Sequence, residues 1–199
     1  MCCNEFGDDL YNRPPAFYAS PIRTRTVMIN LVRLFAEIAL LRRGPQDLPA
    51  SPVLLTLTAL GYLAVNALAR LLMPAGQDAW PMQLLVELLF TLGWYAVLLR
   101  IVNRPERFLQ TATAIFGYQA LLALPIVAAI WLVQQFDKDS PWMLPALVIA
   151  LVLVIWLIAA GAHILKAALE WSMPAAVAMI ILQMIAGELL LIAIFSPMT

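Results

Sequence analysis

The chain has 199 residues, 63% of them hydrophobic and only 12% charged, against roughly 45–50% and about 25% in soluble globular proteins. Lys plus Arg and Asp plus Glu balance at 12 each, so no basic excess is present to hold nucleic acid. A soluble domain this apolar could not cover its own surface, so this is an integral membrane protein, and the lack of the ~10-residue alternating segments of a barrel makes it all-α.

Residues 1–27 are polar, proline-bearing and without periodicity, and they contain no apolar h-region of a secretory signal. They read as a disordered tail, with sequence upstream of a start at Met28 as one form of that reading. Both cysteines, Cys2 and Cys3, lie here. Palmitoylation is the functional alternative, since adjacent cysteines do not readily pair with each other.

From Met28 to Arg43, Asn30, Arg33 and Glu37 recur on one helical face, with Leu31, Leu34, Phe35, Ile38 and Leu41 on the other. The segment is too short to span and is charged mid-length. It reads as an amphipathic helix over 28–44 in the cytoplasmic interface, stopped by Gly44-Pro45. A helix packed under the bundle fits the same pattern.

Five apolar stretches of spanning length follow within 52–196, over Pro52–Leu72, Met82–Val102, Ala112–Gln134, Met143–Leu165 and Ala175–Phe195. Prolines punctuate their ends, and only Pro125 lies deep inside one, where a kink is expected. Ten of the positive charges fall on the side of the N-terminus and two, Arg70 and Lys138, on the other. This predicts a multi-pass inner-membrane protein with its N-terminus cytoplasmic and its C-terminus outside. Trp80, Trp131 and Trp142 then mark the outer interface and Trp171 the inner one. Each span holds one glycine, read as a place where helices approach closely.

Catalytic chemistry finds no footing. His163 is the one histidine, no CxxC, P-loop or GxGxxG occurs, and no serine lies within a span. No enzyme, cofactor or metal site is expected. His163 reads as a packing residue near the cytoplasmic end, one turn before Lys166, which can pair with Glu170 at i,i+4. Gln119 of the third span is grouped with His163 and Lys166 as a polar residue of the cytoplasmic side.

The informative residues are polar ones at membrane depth. Thr58, Tyr62, Asn66 and Arg70 recur at i+4 in the first span, as do Gln83, Glu87, Thr91 and Tyr95 in the second. These stripes lie on consecutive helices joined by a short turn and are expected to meet in the bundle interior. Arg70 then contacts Glu87 in the outer half of the bundle with help from Asn66, and Glu188, level with Asn66, is a candidate to complete the cluster. Two carboxylates sharing one arginine could serve a proton or cation pathway. A static arrangement that orients helices is the simpler reading.

Asn103–Pro125 (NRPERFLQTATAIFGYQALLALP) and Trp156–Ser172 (WLIAAGAHILKAALEWS) resemble the third and fourth spans of Yip-type, Rab-interacting membrane proteins, bacterial branch. The resemblance implies a cytoplasmic N-terminal segment before five closely spaced spans, and no catalytic residues. Eukaryotic members engage Rab-type GTPases largely through long N-terminal regions, which the short tail here does not supply. Two functions follow. One is a scaffold or accessory protein contacting membrane lipids and a protein partner through its cytoplasmic face. The other is a small transporter or channel using the polar cluster. Hydration of that cluster discriminates them.

Overall fold

The computed structural model describes residues 32–72, 79–137 and 140–195. The expected tail over 1–27, with Cys2 and Cys3, and residues 28–31 and 196 lie outside them. Residues 33–199 form one compact unit. Its helices are α1 (32–39), α2 (Pro52–Leu72), α3 (Trp80–Ile101), α4 (Phe108–Gln135), α5 (Met143–Leu169) and α6 (Met173–Phe195). Short 3-10 turns at Pro45–Asp47 and Pro105–Arg107 precede α2 and α4, and no strand occurs among the described residues. Five helices, α2 to α6, are long and apolar enough to cross a membrane. The chain is a multi-pass membrane protein.

Local sequence sets the helix ends. Ser51 caps α2, its hydroxyl accepting the Leu54 N–H at 3.4 Å. Trp80-Pro81 opens α3 with proline in the first turn. Val102 to Arg104 close α3 through a Schellman turn. Asn103 is left-handed there (φ 56°), and Arg104 N–H reaches the Leu99 carbonyl at 2.8 Å.

The helix α1 closes at residue 39, short of the expected Arg43, and the stop is not Gly44-Pro45. Leu41 adopts φ 62°, and its N–H and that of Arg42 bond back to Ile38 and Glu37, each at 2.9 Å. The same Schellman closure therefore forms with leucine in the left-handed position, at a cost of about 1–2 kcal/mol.

The apolar side of α1 is buried against protein. Phe35, Ile38 and Ala39 are all buried. The Phe35 ring lies over Gly117 of α4, where any side chain would collide with it. The Trp156 indole of α5 donates to the Ala39 carbonyl at 2.7 Å. Arg33 stays exposed and pairs with Glu37, which Arg43 also meets at 2.7 Å. Gln110 of α4 fastens the following connection by donating to the Leu48 carbonyl at 2.8 Å.

Among the spans, α4 is central. It packs along α2 and α5, α6 packs on α5, and α3 touches α2, α4 and α6 more lightly. Thr111 to Tyr118 of α4 are buried without interruption. Burial concentrates at the end of the bundle holding the α3–α4 and α5–α6 turns, called here the arginine-rich end. Gln83, Leu84, Ala129 and Ala146 are the exceptions. The helix α4 runs unbroken through Pro125, and beyond that proline only Ala129 of α4 is buried.

The glycines divide. Gly117 and Gly161 permit close approach, the second because a Cβ would sit 2.7 Å from the Tyr118 hydroxyl, and Gly187 faces Phe90. Gly61 and Gly93 face open space, so close packing does not explain them. A Gly117→Val variant should displace Phe35 and undock α1 at about 1–3 kcal/mol. Hydrogen exchange over residues 33–48 should then accelerate while the α5–α6 pair keeps its protection.

Candidate functional site

The expected direct Arg70–Glu87 ion pair does not form. The side chain that organises the region is Tyr62 of α2. Its ring packs on Phe116 of α4 with centroids 5.4 Å apart, and its hydroxyl donates to Glu87 Oε2 of α3 at 3.3 Å. Arg70 and Glu188 act on Glu87 electrostatically, but among the described residues Arg70 makes no ion pair. Asn66 does not reach Glu87 either. Its amide donates to the Tyr62 carbonyl, one turn back, at 2.8 Å.

Two clefts flank Tyr62. One, of about 600 Å³, lies between α2 and α4 and takes Asn66, Arg70 and Gln119. The other, of about 180 Å³, lies between α3 and α6 and takes Glu87, Thr91, Gln183 and Glu188. The arginine and the carboxylates thus belong to different walls. Gln119 faces the first cleft beside Tyr62 and Asn66.

The α3 stripe explains itself against α6. Tyr95, 1% exposed, donates to Gln183 Oε1 at 2.6 Å, which ties the two helices in a dry environment. Glu87 then looks across the second cleft toward α6, where Glu188 is exposed.

A second polar constellation sits at the arginine-rich end, and the sequence reading missed it. Arg104 grips the Glu170 carboxylate with both terminal nitrogens, Nη2 to Oε2 at 2.6 Å. Arg107 Nη2 bonds Glu170 Oε1 at 3.0 Å. Its Nη1 donates to the carbonyls of Ala168 at 3.1 Å and Ala167 at 3.3 Å, capping the carboxyl end of α5. The expected Lys166–Glu170 pair is absent. The α5 helix ends at Leu169 and Glu170 is left-handed (φ 58°), so the i,i+4 geometry does not exist there. His163 is half-buried and Lys166 exposed. The findable signal was topological, because in an up-and-down bundle the α3–α4 and α5–α6 turns share one end.

Among the described residues no group of three His, Cys, Asp or Glu could hold a metal. Comparison with protein-family models, curated proteins and solved structures yields no match.

Hydrogen bonds from Arg104 first, then Arg107, hold the Glu170 carboxyl below the ordinary carboxylate range. A folded-state value below the unfolded one, about 4.3, means the contribution is complete above that pH. It is lost as pH falls through the depressed value. Glu170→Gln should therefore lower the melting temperature of the detergent-solubilised protein at pH 7. The gap to the parent should close as the pH drops below the glutamate range. A gap independent of pH would mean that the left-handed backbone, and not the charge, is what matters.

Proposed function

We propose that this chain is a non-enzymatic accessory or scaffold protein of a bacterial inner membrane, of the Yip type that its sequence resembles. It engages lipid headgroups and a protein partner through its arginine-rich end. The observation that carries this reading is the solidity of that end. Tyr95, Leu99, Ile115, Phe116, Ile164 and Leu165 are all but fully buried. Above them two turns are locked together by Arg104, Arg107 and Glu170. Such a plug leaves no passage through half of the bundle and makes a firm platform. Around it Arg33, Arg42, Arg43, Arg100 and Lys166 are exposed. By the ten-to-two charge count this end faces the cytoplasm, with α1 at the interface.

The second reading, a small transporter, is favoured by one observation, the clefts that reach Arg70, Glu87 and Glu188. Two measurements separate the readings. A photo-crosslinking residue at Arg42 or Lys166 should capture protein in native membranes, whereas one at Leu151 should capture lipid only. Vesicles containing the purified chain should show no proton or cation flux above empty vesicles. Flux that falls in Glu87→Gln or Glu188→Gln would overturn the scaffold reading in favour of transport. Reporter fusions should place the two termini on opposite sides, with the N-terminus inside.

A further inference from the structure

We propose that the cleft between α2 and α4 binds one acidic phospholipid, with its phosphate on Arg70 and one acyl chain lying along α4. This goes beyond the scaffold reading and does not depend on what the arginine-rich end engages.

The cleft has the polarity profile of a lipid leaflet. At its mouth stand Arg70, in the last turn of α2, and Gln134, at the end of α4. Both lie at the end of the bundle opposite the arginine-rich one. Below them the wall is apolar, with Ile126, Val127 and Ile130 of α4 and Leu157 of α5. Gln119 and Tyr62 form a polar floor. From Gln134 to Ala123 the wall runs about 16 Å at 1.5 Å per residue. Half of a ~30 Å hydrocarbon core is about 15 Å. The apolar stretch is therefore one leaflet deep, and the amide and phenol below it stop a chain near the midplane.

Charge selects the headgroup. Arg70 is exposed, and among the described residues no carboxylate pairs with it. Glu87, the carboxylate it acts on, lines the other cleft and accepts from Tyr62. A guanidinium at the membrane boundary draws an anion, and a phosphodiester, with two non-bridging oxygens sharing its charge, is a bidentate partner for that planar fork of donors. One turn deeper, Asn66 gives one of its two amide N–H groups to the Tyr62 carbonyl, and Gln119 and Gln134 add further amide donors to the cleft. A zwitterionic lipid offers the same phosphate but adds a cation beside Arg70, and is disfavoured.

The test is native mass spectrometry of the detergent-solubilised full chain, titrated with phosphatidylglycerol and with phosphatidylcholine of identical acyl chains. The expected result is one phosphatidylglycerol adduct in the cleft held about tenfold more tightly, because phosphatidylcholine brings a second cation up to Arg70. Arg70→Gln should abolish the preference and Arg70→Lys should keep part of it. Gln135→Ala, exposed at the same end of α4 but outside the cleft, should leave it intact. Val127→Trp, which fills the cleft without touching a charge, should remove the adduct. Equal affinity for the two lipids, or equal loss in Arg70→Gln and Gln135→Ala, would overturn the proposal. So would displacement of the adduct by glycerol phosphate, which would make this a site for soluble phosphate.

Discussion

Thr111 to Tyr118 of α4, eight consecutive residues buried on every side, form the constraint on which the rest of the structure depends. In lipid no hydrophobic effect drives helices together, so a buried helix must be enclosed by close packing and polar ties. Small residues, Ala112, Ala114 and Gly117, let neighbours come near, while Ile115, Phe116 and Tyr118 fill the spaces between them. With α2 on one flank and α5 on the other, a face over Gly117 stays open. The helix α1 covers it, with Phe35 on that glycine and Trp156 fixing its end. Its amphipathic pattern serves protein packing for this reason, whatever lipid contact its charged side also makes.

Enclosing one end so tightly has a backbone cost. Leu41, Asn103 and Glu170 all have positive φ, and each ends a helix. None is glycine, so each carries strain that the surroundings must over-determine. For Glu170 the over-determination is visible. Two arginines fix its carboxylate, and one of them also holds the last carbonyls of α5. The two turns are thereby joined, which keeps α4 and α5 in register from the same end.

The spans were legible in the sequence because an apolar run of spanning length has one meaning in a chain this hydrophobic. The proline punctuation also located their ends to within a few residues. The polar site was less legible, for a geometric reason. Residues four apart advance by about 400°, so an i+4 series winds about 40° per step and about 120° from Thr58 to Arg70. Such a series is a ridge and not a face. Tyr62 consequently points between α3 and α4, while Arg70 comes out over α4, and one expected cluster becomes two clefts. Partner choice was equally hidden. A short α2–α3 connection suggested that these helices pair, yet α2 packs chiefly on α4. Nothing local to Glu170 marked it as the clamp residue, because its partners arrive from another turn.

The division of the bundle has a functional consequence. Burial and ion pairing gather at the arginine-rich end, whereas beyond Pro125 only Ala129 of α4 is buried. Local stability follows packing, so the loosely packed half opens more readily than the plugged one. Arg70, Glu87 and Glu188 lie in that half, where lipid or solute can reach them without unfolding the core. A protein that merely buried its polar groups to orient helices would place them all as it places Tyr95 and Gln183, paired and dry. The end opposite the arginine-rich one keeps an unpaired cation beside an apolar wall one leaflet deep, an arrangement that lipid itself can complete.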